Sequence, residues 1–262
     1  MPAITIRTGT PDDHPAFVRL FAELGVPDPV PTLPTFVDRF AATTMFACAG
    51  DTVVGFLRWR PYGDLAHVIN VVTDPAWRGQ RIGQHMLEAA RLEARTAGCS
   101  RWYLNVKQDN AAGLRLYERC GFVTACEAWS LSMTWAAAHA LPGPRVETRL
   151  ATVEDDGPLG AALGVRPQRI EALRTRPGLV PLVAMRDDIV GFAAFMPSLP
   201  GAAPFASREP RVAGPLLVAC HAYARSEQVV RLSVERDQAL RDELVTGGAT
   251  IDFAMFQMDA AL

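Results

Sequence analysis

The chain repeats itself, and nothing else in it constrains the fold as tightly. Ile6-Arg7 followed by TGTPDD has a counterpart in Thr148-Arg149 followed by LATVED. DTVVGFLRW (51–59) returns as DDIVGFAAF (187–195), and NVKQDNA (105–111) as SVERDQA (233–239). The offsets are 142 between Arg7 and Arg149, 136 between Gly55 and Gly191, and 128 between Val106 and Val234. They shrink in chain order, as expected for a tandem duplication whose second copy is slightly shorter. AAAHALPGP (136–144) separates the copies with small residues and prolines, a linker composition. The expected organisation is therefore one domain over 1–137, a linker over 138–144 and a second domain over 145–262. With 262 residues, 49% of them hydrophobic, each half has enough apolar material for a core of its own.

Local patterns place the elements of the first copy. Ile4-Thr5-Ile6-Arg7 alternates like a strand, and Phe17, Leu20, Phe21 and Leu24 give the next segment an apolar helical face. Gly25 to Pro34 carries four prolines and a glycine in ten residues and is read as a loop; Phe36, Val37 and Phe40 fit a short second helix. Met45–Cys48 and Val53–Trp59 flank Ala49-Gly50-Asp51 as a hairpin. HVINVVT (67–73) is β-branched and strand-like. Ile82, Met86, Leu87, Ala90 and Ala94 predict an amphipathic helix ending at Gly98. A strand over Trp102–Val106, a helix over Asn110–Cys120 and a last strand near Trp129–Met133 complete the copy. In the second copy, His221 and Tyr223 are read as packing residues of a long helix.

Between the β-branched strand and the amphipathic helix stands WRGQRIG (77–83). A helix start presents unpaired N–H groups and the positive end of the helix dipole, which suits a phosphate. Glycines let the backbone approach an anion, and arginines add charge. The stretch is neither a Walker loop, since no Lys-Ser/Thr follows, nor a GxGxxG dinucleotide fingerprint.

The order strand, DPxWRGxxIG, long helix, strand and DNAAGLRLYERCGF resembles the GNAT superfamily of acetyl-CoA-dependent N-acetyltransferases over roughly residues 3 to 134. The resemblance implies an α/β (α+β) fold of two GNAT-like domains, each a mixed, mostly antiparallel twisted sheet flanked by helices. It implies acetyl-CoA as co-substrate and no metal. Val71, Val72 and Thr73 would line the pantetheine arm, with a backbone N–H polarising the thioester carbonyl. Arg78, Gly79, Gln80, Arg81, Ile82, Gly83 and Gln84 would cradle the pyrophosphate, although the family often has glycine where Arg81 stands. Asn110 would bond the pantetheine arm, and Tyr117 would sit near the sulfur.

In this family an amine attacks the thioester directly. An alkylamine of pKa about 10.4 is neutral in only about one molecule in 2,500 at pH 7, so losing its proton costs roughly 4.6 kcal/mol that a base or a desolvated site must offset. The oxyanion needs a preplaced donor, and the departing thiolate an acid. On the resemblance, Tyr117 is that acid. Asn105 stands where some members that acetylate protein N-termini carry a glutamate, and an amide cannot take the proton. Candidate bases are His67, where some small-amine enzymes of the superfamily have a histidine, and Glu23, Asp28 or a water relay. Asp109 is read as a helix cap.

The second copy reads REPRVAGPL (208–216) at the loop, with Pro210 taken for Gly79 and Gly214 for Gly83, and Leu244 or Val245 where Tyr117 would fall. It is therefore expected to have lost the cofactor. The expected acceptor is a small-molecule primary amine; the alternatives are a protein N-terminus or lysine, or acyl-CoA binding without turnover as a sensor or assembly module. A net charge of −2 with no basic block argues against nucleic acid. Five cysteines without a CxxC pair fit reduced, buried thiols. MPAITIRTGTPDD lacks the basic start and apolar run of a signal peptide, no apolar run approaches membrane-spanning length, and a cytoplasmic protein is expected. It would be either a monomer with pseudo-two-fold tandem domains or a homodimer.

Overall fold

The computed structural model describes residues 3–26, 29–225 and 229–262. Asp28, one of the candidate bases, lies outside them. In chain order the elements are β1 (Ile4–Thr8), α1 (His14–Phe21), α2 (Leu33–Arg39), β2 (Thr44–Ala49), β3 (Thr52–Tyr62), β4 (Leu65–Thr73), α3 (Ile82–Thr96), β5 (Arg101–Lys107), α4 (Ala111–Arg119) and β6 (Val123–Thr134). Helix α5 (Trp135–Ala140) follows. The series then recurs as β7 (Glu147–Leu150), α6 (Asp156–Leu163), α7 (Pro167–Arg174), β8 (Val180–Met185), β9 (Ile189–Met196), β10 (Gly201–Ser207), α8 (Ala213–His221), β11 (Val229–Glu235), α9 (Gln238–Thr246) and β12 (Thr250–Ala261).

Two compact units result. The first holds Met1–Asn105, Asn110–Val123 and Met258–Leu262, and the second Val106–Asp109 and Thr124–Gln257. In the first unit β1, β2, β3 and β4 pair antiparallel in sequence, and β4 pairs parallel with β5. The end of β12 lies beyond β5, tied by an Arg101–Asp259 ion pair of 2.5 Å and by the Leu262 N–H donating to the Ser100 carbonyl. In the second unit β7, β8, β9 and β10 pair antiparallel, β10 pairs parallel with β11, and β11 pairs antiparallel with β6. Each unit is thus a mixed, mostly antiparallel sheet flanked by helices, as expected.

The repeat extends to side chains. Arg7 grips both carboxylate oxygens of Asp13 at 2.6 and 2.7 Å, and the Thr10 N–H donates to the same carboxylate at 2.7 Å. Arg149 grips Asp155 at 2.6 and 2.8 Å, again with the Thr152 N–H at 2.7 Å. A bidentate Arg–carboxylate pair fixes both distance and angle, so this lock sets how the first strand of each copy enters its first helix. The Arg149 guanidinium holds the Asp155 carboxyl down at about 2, against the opposing effect of burial. A carboxylate with a depressed folded pKa stabilises above its unfolded pKa and loses that contribution as pH falls through the folded one. Asp155→Asn is expected to cost about 1–2 kcal/mol at neutral pH, after discounting for the partly exposed Arg149. The difference from the parent protein should close between about pH 4 and about pH 2, as denaturant titrations at several pH values would show.

The first core gathers Phe17, Phe36, Phe46 and Phe56, with Phe17 ring centroids 4.9 Å from Phe36 and 5.0 Å from Phe56. The second gathers Trp135, Phe195, Phe205, Leu216, Leu217 and Leu244 among others. The cysteines are free, with Cys48, Cys99 and Cys220 buried.

Two readings change. The stretch taken as linker from residue 136 begins as helix α5, capped by the Thr134 hydroxyl, which accepts from the Ala137 N–H at 3.2 Å. Its alanines are the best helix formers, and the helix stops at Leu141 just before Pro142. Tyr223 lies beyond α8, which ends at His221. His221 does pack, stacked on Trp135 at 4.3 Å and hydrogen-bonded to His139 at 2.7 Å.

Candidate active site

The site begins where β4 and β5 part. Their parallel pairing runs from Leu65–Arg101 to Val68–Leu104 and goes no further, although β4 continues to Thr73. The cause is on the other edge of β4. Arg58 pairs with Asn70 and Trp59 with Val68, so Ile69 is an extra residue. Such a bulge bends its strand and increases local twist. Past Val68, the β4 backbone edge that faced β5 is released from strand pairing, a position from which an N–H can serve a ligand. The alternation divides the predicted arm residues. The Val72 side chain is buried with Phe17 and Phe56, so only its backbone can serve, while Val71 and Thr73 are half-buried on the opposite face.

After Thr73 the chain makes a 3-10 turn, Pro75–Trp77, capped by Asp74, whose carboxylate accepts from the Ala76 N–H at 3.0 Å. That bond, with Arg19 and Arg78 nearby, holds the Asp74 carboxyl below its ordinary range. Arg78 to Arg81 then lead into α3. Gly79 has φ +80° and Arg81 φ +60°, both left-handed. The second explains why glycine suits position 81: a side chain there costs about 1–2 kcal/mol in backbone strain. Arg81→Gly is expected to raise stability by about 0.5–1 kcal/mol net of the entropy glycine adds to the unfolded chain, read as a Tm rise of about 1–4 °C.

Helix α3 starts without a side-chain cap and without an acidic residue in its first turn. Its first intrahelical bond is from the His85 N–H to the Arg81 carbonyl, so the N–H groups of Ile82, Gly83 and Gln84 point out of the helix end. The Gln84 side chain turns away to Glu88 at 2.9 Å. Arg78 donates through Nη2 to Glu23 at 2.9 Å and through Nε to the Thr73 carbonyl at 3.3 Å. Orphan donors, the dipole of a 15-residue helix and two arginines converge on one loop.

Gly83 fixes the second helix of the site. A Cβ there would lie 2.9 Å from the Leu116 side chain, so glycine lets α4 pack against the start of α3. Asn110, and not Asp109, caps α4: its Oδ1 accepts from the Gly113 N–H at 2.9 Å. Both residue types cap well, and backbone geometry chooses between them. Tyr117 is buried with its ring edge-on to Phe122 at 6.0 Å. Burial first, and the neighbouring Cys120 second, push its phenol up to about 12. His67 lies in the paired part of β4, four residues before Val71, stacked on Tyr103 at 4.3 Å and 8°. The buried Oδ1 of Asn105 has no hydrogen-bond partner among the described residues. Among those residues no cluster of three or more His, Cys, Asp or Glu could hold a metal.

Residues 14–122 match the Acetyltransferase (GNAT) family. The chain is also 34% identical over 83 residues to glucosamine 6-phosphate N-acetyltransferase 1 of Oryza sativa subsp. japonica; that stretch is 32% of this chain and 48% of the relative, so about half of the relative's length is spanned. Among solved structures, a Pyrococcus horikoshii protein superposes with TM-score 0.71 at 18% identity, over 100% of this chain and 90% of its own. A GCN5-related N-acetyltransferase from Sphaerobacter thermophilus gives 0.66 at 16% identity, over 98% and 95%. At such identities the likeness is one of fold, and it extends through both halves.

The second half lacks this loop. Pro210 begins a 3-10 turn, Pro210–Val212, as Pro75 begins Pro75–Trp77, so Pro210 corresponds to Pro75 and not to Gly79. Val212 then passes straight into α8, where the first half inserts Arg78, Gly79, Gln80 and Arg81. Gly214 does match Gly83 as the second residue of its helix. A Cβ on it would meet the Leu141 carbonyl at 2.8 Å, so the chain after α5 covers this helix start. Pro215 removes another N–H from the first turn. Counting from the caps Asn110 and Asp237, Tyr117 is replaced by the buried Leu244.

Proposed function

We propose that the chain is an acetyl-CoA-dependent N-acetyltransferase acting on a primary amine, with its chemistry in the first half. The uncapped start of α3, joined to a loop with two left-handed residues and two arginines, carries the reading. Its donors fit a pyrophosphate: Arg78 and Arg81 supply charge, and Gly79 to Gln84 supply backbone N–H groups at short approach. The released edge of β4 over Val71–Thr73 offers N–H groups to the arm and to the carbonyl oxygen of the thioester. Acetyl-CoA brings an activated acetyl group. Attack by the neutral amine nitrogen forms the C–N bond, the C–S bond breaks, and the departing sulfur takes a proton from the Tyr117 hydroxyl; the nitrogen sheds its extra proton to the base or to solvent, from which the Tyr117 phenol is restored. Asn110 spends its Oδ1 on the helix cap, leaving its amide N–H groups for the arm.

In this reading residues 1–137 are the catalytic domain, 138–144 connect, and 145–262 are a degenerate GNAT-like domain without the cofactor. His67 and Glu23 are the described candidates for the base. The aromatic stack around His67 supports packing as its main role. The acceptor is a small-molecule amine, and the phosphorylated amino sugar named in the Oryza relative belongs in the first panel tested. Free-thiol release from acetyl-CoA, measured across such a panel, tests the proposal. Tight acetyl-CoA binding with no thiol release from any amine would favour the second reading, a non-catalytic acyl-CoA module, for which Asn105 in place of a carboxylate speaks.

A further inference from the structure

Two ion pairs join the end of α1 to the anion loop. Arg19 pairs with Asp74 and donates to the Val53 carbonyl at 2.8 Å. Arg78 pairs with Glu23 at 2.9 Å, with 58% and 36% of the two side chains exposed. The pairs differ in what else holds them. Asp74 is fixed by its cap to Ala76, whereas the Glu23 carboxylate sits in the turn Ala22–Leu24, just before the proline-rich residues 25–34. Arg78 is also the first residue of the loop that faces the anion. A guanidinium cannot give its best geometry to a carboxylate and a diphosphate at once, and a diphosphate assisted by helix N–H groups outcompetes a single exposed carboxylate.

We propose that Glu23 is the internal counter-anion of this loop. It holds Arg78 in the free protein and gives it up to the pyrophosphate of coenzyme A, which leaves a free carboxylate in the turn Ala22–Leu24. The inference rests on the pyrophosphate reading given above. Its consequence is an order of events: a carboxylate able to attract an ammonium group becomes free only once the cofactor is in place.

Calorimetric titration with coenzyme A tests it on the parent protein, Glu23→Gln, Glu23→Ala, Arg78→Gln and the Glu23→Gln/Arg78→Gln double variant. Removing a competitor held by an exposed pair should tighten the Kd about two- to fivefold in both Glu23 variants. Arg78→Gln should weaken binding, and adding Glu23→Gln to it should bring no gain, because the competition needs the guanidinium. Unchanged or weaker binding in the Glu23 variants, or an equal gain without Arg78, overturns the proposal while leaving the pyrophosphate reading intact. Absence of binding in every protein, the parent included, overturns both.

Discussion

Tyr117→Phe is expected to lower kcat by about 100-fold or more while leaving the Kd for coenzyme A within about threefold. Phenylalanine keeps the ring that packs edge-on to Phe122, so α4 and the cap at Asn110 should persist; only the proton donor is lost. The phenol is held protonated by burial, up to about 12, and so carries its proton at any working pH. That value would make it a poor acid towards a thiolate in water, whose conjugate acid has a pKa near about 8.5. The same desolvation acts on a thiol here, since burial raises Cys120 beside Tyr117. A departing sulfur in this environment is a stronger base than in water, which narrows the gap between donor and acceptor. Pre-steady-state thiol release, measured beside calorimetry, separates the outcomes. Unchanged turnover would remove Tyr117 from the chemistry.

Excising Arg78–Arg81, so that Trp77 runs directly into Ile82, is expected to weaken coenzyme A binding by at least about 100-fold without unfolding the protein. The second half already makes this connection, from Val212 straight into Ala213, so a fold of this kind tolerates it. The deletion removes two guanidinium groups and the backbone donors around Gly79. Charge-assisted hydrogen bonds contribute about 1.5–3 kcal/mol each, and losing two is enough for that factor. An unchanged Tm with abolished binding is the expected pair of results. Retained affinity would mean that the loop is not where the anion sits.

Much of this was legible in the residues because duplication preserves what is geometrically demanding. TGTPDD and LATVED encode the same Arg–Asp lock, and the match between them reflects it. The loop was legible because its glycines and arginines stand between a β-branched strand and an amphipathic helix. The parting of β4 from β5 was not: it depends on a bulge at Ile69, a property of pairing and not of residue type. Nor was the deletion in the second copy, where one shared proline could be set against Gly79 until the 3-10 turns showed it to match Pro75. Helix α5 was hidden because Pro142 and Pro144 outweighed five residues of helix-forming alanine and histidine. In the sequence Glu23 signals only a candidate base, since its partner Arg78 is 55 residues away.

The central claim is that the chain has one coenzyme A site, in its first half. The stoichiometry of acetyl-CoA binding to the whole chain, measured by calorimetry, tests it most directly. One molecule per chain is predicted, because Arg78–Arg81 have no counterpart before α8 and the Leu141 segment covers that helix start. Two molecules per chain, or none, would contradict it.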